Sequence, residues 1–147
     1  MIVYLDICCF KRPFDDQTQG RIHLESEAIL AILKHVDLGQ ILLAGSEILS
    51  LENDRDPDLQ RRHRVAELLN RTDDPILLTE TSRQRSYDLV VLGFKPLDAL
   101  HLVSAEQAGA SIFLSCDDQL LRQARRRADG LKVRVLDPIE LGVTHVV

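Results

Sequence analysis

The sequence predicts an α/β protein built around a parallel sheet. Three observations lead to that expectation. Short, uninterrupted apolar runs recur at 2–5, 41–44, 75–78, 111–114 and 133–136. Continuous rather than alternating apolarity marks strands buried on both faces. Between the runs lie segments with helical apolar spacing and their own start and stop signals, and strands alternating with helices favour parallel pairing. A chain of 147 residues can bury a substantial core as one domain. No repeat, linker or low-complexity stretch divides it, so residues 1–147 read as a single domain.

IVYL (2–5) is the first strand. Over residues 22–38, Ile22, Leu24, Ala28, Ile29, Ala31, Ile32, Leu33 and Val36 fall near helical spacing, and Gly39 is the stop. ILLA (41–44) is the second strand, and Ser46 is placed to cap a short helix, SEILSLEN. Asp56-Pro57 opens the next helix, with Pro57 suited to its first turn, and it runs on through RRHRVAELLN. PILL (75–78) is the third strand. Thr79 then caps a helix carrying Tyr87, Leu89, Val90 and Leu92, which Gly93 ends. KPLDALHLVSAEQAG is a helix with Pro96 near its start and Gly109 at its stop. SIFL (111–114) is the fourth strand, DDQLLRQARRRADG a helix stopped by Gly130, and VRVL (133–136) the fifth strand, closed by Asp137-Pro138. The expected architecture is a mostly parallel five-stranded sheet covered by helices on both faces.

No apolar run approaches the roughly 18 residues of a membrane span. The first ten residues lack a basic lead, and Asp6 interrupts their apolar run, so the pattern predicts no signal peptide and a cytoplasmic protein. The three cysteines are an odd number, two are adjacent, and no CxxC pair suggests zinc, so they read as small packing residues. The net charge of −5 does not draw polyanions through the overall field, so nucleic acid would need local basic patches or bound metal ions. Aromatics at 4 % exclude a broad base-stacking platform. RRHR (61–64) and RQARRR (122–127) read as solvated helix faces; the functional alternative is contact with an RNA backbone or an acidic partner. His101, three residues after Asp98, reads as a packed helix residue, and no Ser/His/Asp arrangement or nucleophile elbow is present.

Ligand sites of open parallel sheets form at the carboxyl ends of the strands. Asp6 follows the first strand directly, and Asp117 and Asp118 follow the fourth. Glu47 and Glu52 lie in the helix after the second strand, and Asp98 in the first turn of the helix that leads to the fourth. Glu47 and Glu52 are separated by about 140° around a helix, so at most one faces a shared site. Clustered carboxylates repel one another, and a hard divalent cation resolves the repulsion. Such an ion also suits phosphodiester hydrolysis. Each acid alone has an ordinary explanation as a cap or a solvated charge; the joint pattern is the signal.

These residues resemble a PIN domain, a nuclease fold, over nearly the whole chain. The matching motifs are VYLD, ending in Asp6; SEILSLE, with Ser46 and Glu52; LDALHLVSAE, with Asp98; and FLSCDDQLL, with Ser115 and Asp117. The resemblance selects Glu52 over Glu47 and leaves Asp118 as a second acid in the last motif. It implies a three-layer α/β/α fold and a metal-dependent endoribonuclease, with Asp6, Glu52, Asp98 and Asp117 holding Mg²⁺ or Mn²⁺. Ser46 or Ser115 would orient a carboxylate or a water, and Arg12, with Lys11 a weaker candidate, would contact RNA phosphate. Small bacterial members of this type are often toxins of toxin–antitoxin pairs, so an antitoxin partner and a homodimer are further expectations. The RPFDDQ segment and the charged DRDPDLQRRHR insert lie outside the common toxin pattern.

Other functions fit less well. A receiver-type phosphoacceptor domain needs paired acids at the first strand and a lysine before a proline after the fifth; here Asp6 stands alone and the late dipeptide is Asp137-Pro138. An aspartate-nucleophile phosphatase needs an acid two residues after the first, where Cys8 stands. A catalytically inactive RNA- or protein-binding module on the PIN fold is the principal alternative, and the full set of four acids speaks against it.

Overall fold

The first strand, β1 (Ile2–Leu5), lies at the centre of the molecule, and its Val3, Tyr4 and Leu5 are wholly buried. The structure is a computed structural model that describes residues 1–145, with side chains described as far as Leu141. After β1 come α1 (Ile7–Lys11), α2 (Gly20–Asp37), β2 (Leu42–Leu43), α3 (Glu47–Asp54), α4 (Leu59–Leu69), α5 (Glu80–Val91) and α6 (Pro96–Gln107). They are followed by β3 (Ile112–Leu114), α7 (Asp118–Arg126), β4 (Arg134–Leu136) and α8 (Pro138–His145).

The sheet has the order β2-β1-β3-β4, and every pairing is parallel. Val3 lies opposite both Leu43 and Ile112, and Tyr4 opposite Phe113. The inner strands β1 and β3 are almost entirely buried, while the edge strands expose Leu42 and Arg134, the expected contrast for a sheet covered by helices. The Tyr4 and Phe113 rings stack with centroids 5.2 Å apart. Fully burying a side chain such as Phe113, Ile29 or Leu102 stabilises by about 1.5–3 kcal/mol each.

The sheet has four strands, not the five expected. At PILL (75–78), only Ile76 pairs, through an isolated bridge to Ser46. Its N–H donates to the Gly45 carbonyl at 3.0 Å, and its own carbonyl accepts from Glu47 N–H at 3.1 Å. Pro75 has no N–H to extend the ladder, and Leu77 is 63 % exposed, so the run is neither paired nor buried as a strand would be. Gly45 permits the close approach: a Cβ there would meet the Asp73 carbonyl oxygen at 2.7 Å.

Other boundaries follow local chemistry. Ser46 and Thr79 cap α3 and α5 by accepting from the N–H groups of Leu49 and Ser82. Pro57 stays outside α4, whose cap is Asp58: Asp56 Oδ1 accepts from Asp58 N–H, and Arg61 grips the Asp56 carboxylate, closing a turn before the helix. The segment after β1 forms the short helix α1, because Asp6 caps it.

Candidate metal centre

Asp6 stands where β1 becomes α1. Its N–H still donates to the Leu114 carbonyl at 2.9 Å, so the strand ladder fixes its position. Oδ1 accepts from Ile7 N–H at 2.9 Å, and Oδ2 accepts from the Ser115 hydroxyl at 3.0 Å. Ser115 Oγ also accepts from Asp117 N–H at 3.1 Å, tying the ends of the two inner strands together. Asp117 caps α7, its Oδ1 accepting from Gln119 N–H at 2.9 Å. Asp98 is half-buried in the first turn of α6, where Pro96 suits the start of the helix.

Glu52 reaches the same place from α3, by way of His101. His101 Nε2 lies 3.1 Å from Glu52 Oε1 and 3.9 Å from Asp6 Oδ1. Its Nδ1 is 2.6 Å from the Tyr4 hydroxyl, which lies 2.7 Å from Ser46 Oγ. One proton assignment satisfies the whole chain: Leu49 N–H donates to Ser46, Ser46 to Tyr4, Tyr4 to His101 Nδ1, and His101 Nε2–H to Glu52. Burial keeps the Tyr4 phenol well above its usual pKa, consistent with its donor role.

The ligand atoms of Asp6, Glu52 and His101 all lie within 4.8 Å of one another. Asp98 and Asp117 are not members of that close set, but their charges reach it. Burial, reinforced by the charges of Asp6 and Asp117, pushes the Asp98 carboxyl up to about 6. Burial, with the neighbouring Cys8 and Glu52, pushes Asp6 up to about 8, against the opposing pull of His101 and the Ser115 hydrogen bond. For His101, burial opposes the charged form, but the Glu52 hydrogen bond and the charges of Asp6, Glu52 and Asp98 outweigh it and raise the pKa. Among the described residues no Lys or Arg comes within ion-pair distance of Asp6, Glu52, Asp98 or Asp117. Carboxylates held together without a cation resist ionisation, and an oxygen-seeking divalent ion is the partner that such a donor set fits.

The remaining candidates lie differently. The Asp118 carboxylate is held by Arg21 through two hydrogen bonds, 2.6 and 2.9 Å, at the surface. Arg12 lies between Asp15 and Glu25, at 3.0 and 3.3 Å, and Lys11 is 3.8 Å from Asp56. Ser46 meets Tyr4 rather than a carboxylate. Glu47 takes no part in the close set. In the basic runs, Arg61 pairs with Asp56, Arg64 lies over the Phe14 ring, and Arg125 pairs with Glu140.

Tyr4 and His101 are the residues that sequence reasoning missed. His101 carried one usable signal: at three residues after Asp98 it shares that acid's side of α6. Tyr4 carried none, being one apolar-looking position in a buried strand.

No family model matches the chain, and no curated protein matches it. Among solved structures the chain is similar to the crystal structure of FitAcB from Neisseria gonorrhoeae, with TM-score 0.60 and 16 % identity, over 94 % of this chain and 98 % of that chain. At that identity the likeness is one of fold.

Proposed function

We propose that the chain is a Mg²⁺- or Mn²⁺-dependent endoribonuclease of PIN type, hydrolysing RNA phosphodiester bonds, with a role as the toxin of a toxin–antitoxin pair. The observation that carries the reading is the close set of Asp6, Glu52 and His101, with Asp98 and Asp117 near enough for Asp6 and Asp117 to raise the Asp98 pKa and no Lys or Arg within ion-pair distance among the described residues. The PIN resemblance supplies the reaction class, and the similarity to FitAcB supports the fold across nearly the full chain.

Asp6, Glu52, Asp98 and Asp117 would hold the ion, which when bound supplies the positive charge that activates a water and steadies charge on the phosphate. The chain's own groups arrange the donors. Ser115 fixes Asp6 through Oδ2, and His101 fixes Glu52 through Oε1. Asp117 uses Oδ1 to cap α7, so a bound ion would take its Oδ2. Beside Asp98 opens a cleft of about 280 Å³ lined by Lys95, Gln119, Arg122, Gln123 and Arg126. It offers an RNA backbone local positive charge despite the acidic whole. An antitoxin partner and a homodimer belong to the same reading. Tyr87, Val90 and Val91 expose apolar surface on α5 that suits a protein interface.

The test is cleavage of labelled RNA by the purified protein with and without Mn²⁺, beside Asp6→Asn and Asp98→Asn. Metal-dependent cleavage that both variants lose supports the reading. Cleavage that survives excess EDTA, or that is equal in all three proteins, refutes it. Stable RNA or partner binding without cleavage by any of them would mark a binding module instead.

A further inference from the structure

Beside the carboxylates lies a second donor cluster of different chemistry. The sulfur atoms of Cys8, Cys9 and Cys116 all lie within 4.8 Å of one another, and all three thiols are free. They come from two segments far apart in sequence, the start of α1 and the residue after Ser115, brought together by the pairing of β1 with β3. We propose that these three cysteines form a site for a thiophilic closed-shell divalent ion, zinc in kind, which takes Asp6 as its fourth ligand.

Three features of the geometry support the site. Metal–sulfur bonds of about 2.3 Å in a tetrahedron place two sulfurs about 3.8 Å apart. Cys9 Sγ and Cys116 Sγ are 3.8 Å apart. With a metal–oxygen bond of about 2.0 Å, the same tetrahedron places a sulfur and an oxygen about 3.5 Å apart. Cys8 Sγ and Asp6 Oδ2 are 3.6 Å apart. Finally, the Cys116 N–H donates to Cys8 Sγ at 3.2 Å, a backbone hydrogen bond that supports negative charge on a ligating sulfur. Cys8 is partly exposed, which gives an ion a way in, while Cys9 and Cys116 are buried. Soft thiolates select zinc-like ions and hard carboxylates select magnesium-like ones, so the two clusters discriminate by ligand type.

Asp6 belongs to the carboxylate set, and its Oδ2 lies 3.6 Å from Cys8 Sγ at the border of the thiol set. An ion on the sulfurs would draw Asp6 Oδ2 away from the carboxylate centre and so act as an inhibitor. That consequence, unlike the site itself, rests on the ribonuclease reading.

The experiment titrates reduced, full-length protein with Cd²⁺ in excess Mg²⁺ and follows the ultraviolet thiolate-to-cadmium charge-transfer absorption. The expected result is one ion per chain, a charge-transfer band retained in Glu52→Gln, and affinity lower by at least about 100-fold in a Cys8→Ala, Cys116→Ala double variant. Circular dichroism confirms that the variants are folded. Should the double variant not fold, Cys8→Ala alone serves, since this residue is only partly buried. Absence of the band in reduced wild-type protein, or a band of equal strength and affinity in the cysteine variant, overturns the proposal. If the protein cleaves RNA, Zn²⁺ added over Mg²⁺ suppresses cleavage in the wild type but not in the cysteine variant. If it cleaves nothing, the cadmium titration still decides the site.

Discussion

Two groups of acids in this molecule look alike in sequence and behave oppositely in the fold. Asp56 is buried, yet Arg61 bonds both of its oxygens, at 2.7 and 3.0 Å, and Lys11 stands nearby. The Arg61 hydrogen bonds hold its pKa well below the usual carboxylate range. Asp118 is likewise lowered by its pairing with Arg21. Among the described residues, Asp6 and Asp98 have no Lys or Arg within ion-pair distance, and burial raises both against the pull of His101 and, for Asp98, of Lys95. Burial alone therefore does not single out a candidate metal ligand; the proposed assignment rests on burial without an Arg or Lys partner. The paired acids already have their cations within the chain, whereas the others are the ones for which a metal ion is proposed.

The sharpest way to break this contrast is to neutralise one acid of each kind. Asp6→Asn should lower metal-dependent RNA cleavage by at least about 1,000-fold, because it removes a donor that the strand ladder and Ser115 hold in place. Asp118→Asn should leave cleavage within about twofold, since its partner is Arg21; single-turnover rates on one RNA decide it. A variant with all three cysteines changed to Ala should also keep metal-dependent cleavage. Its loss in a folded protein would return the chemistry to the thiols.

The second contrast is in pH. An acid whose folded pKa is raised favours folding while protonated and opposes it once ionised. The ion-free protein should therefore be most stable at and below the ordinary carboxylate pKa of about 4, as far as this group is concerned. It should then lose at least about 1 kcal/mol, roughly 2–4 °C in Tm, as pH rises through the Asp6 value of about 8. Mn²⁺ should raise Tm more at the alkaline end than at the acid end. Asp56, whose folded pKa is lowered, contributes the reverse: stability present above the usual carboxylate pKa and lost as pH falls below it. Asp56→Ala should cost about 1–3 kcal/mol at neutral pH, read by denaturant unfolding, because it strands Arg61 and frees the turn before α4. The smallest effect belongs to Arg71→Gln, whose exposed pair with Asp37 should barely move Tm.

Local signals were legible because their causes are local. The apolar runs of β1 and β3, the Ser46 and Thr79 caps and the positive-φ stops at Gly39, Gly93 and Gly109 need only neighbouring residues to explain them. PILL misled because its apolar content matches that of a strand; what denies it the ladder is Pro75 and the short edge that β2 offers. The acids could be listed from the strand ends, but their pairing state could not be read. Nothing near Asp118 in sequence announces Arg21, which lies 97 positions away. The His101 contact with Glu52 spans 49 positions and that with Tyr4 spans 97, so the link between them exists only in the fold. The three thiols divide in the same way, Cys8 and Cys9 being visible as neighbours while Cys116 joins them only through the β1–β3 pairing.

The central claim is that the carboxylates without an internal cation hold a divalent ion and the Arg-paired ones do not. Electron paramagnetic resonance of free Mn²⁺ during titration of the wild type, Asp98→Asn and Asp118→Asn measures it directly, since bound and free ion give separable signals. Wild type and Asp118→Asn should bind Mn²⁺ with the same affinity, and Asp98→Asn should bind it at least about tenfold more weakly. Equal binding by all three proteins, or none by the wild type, would contradict the claim.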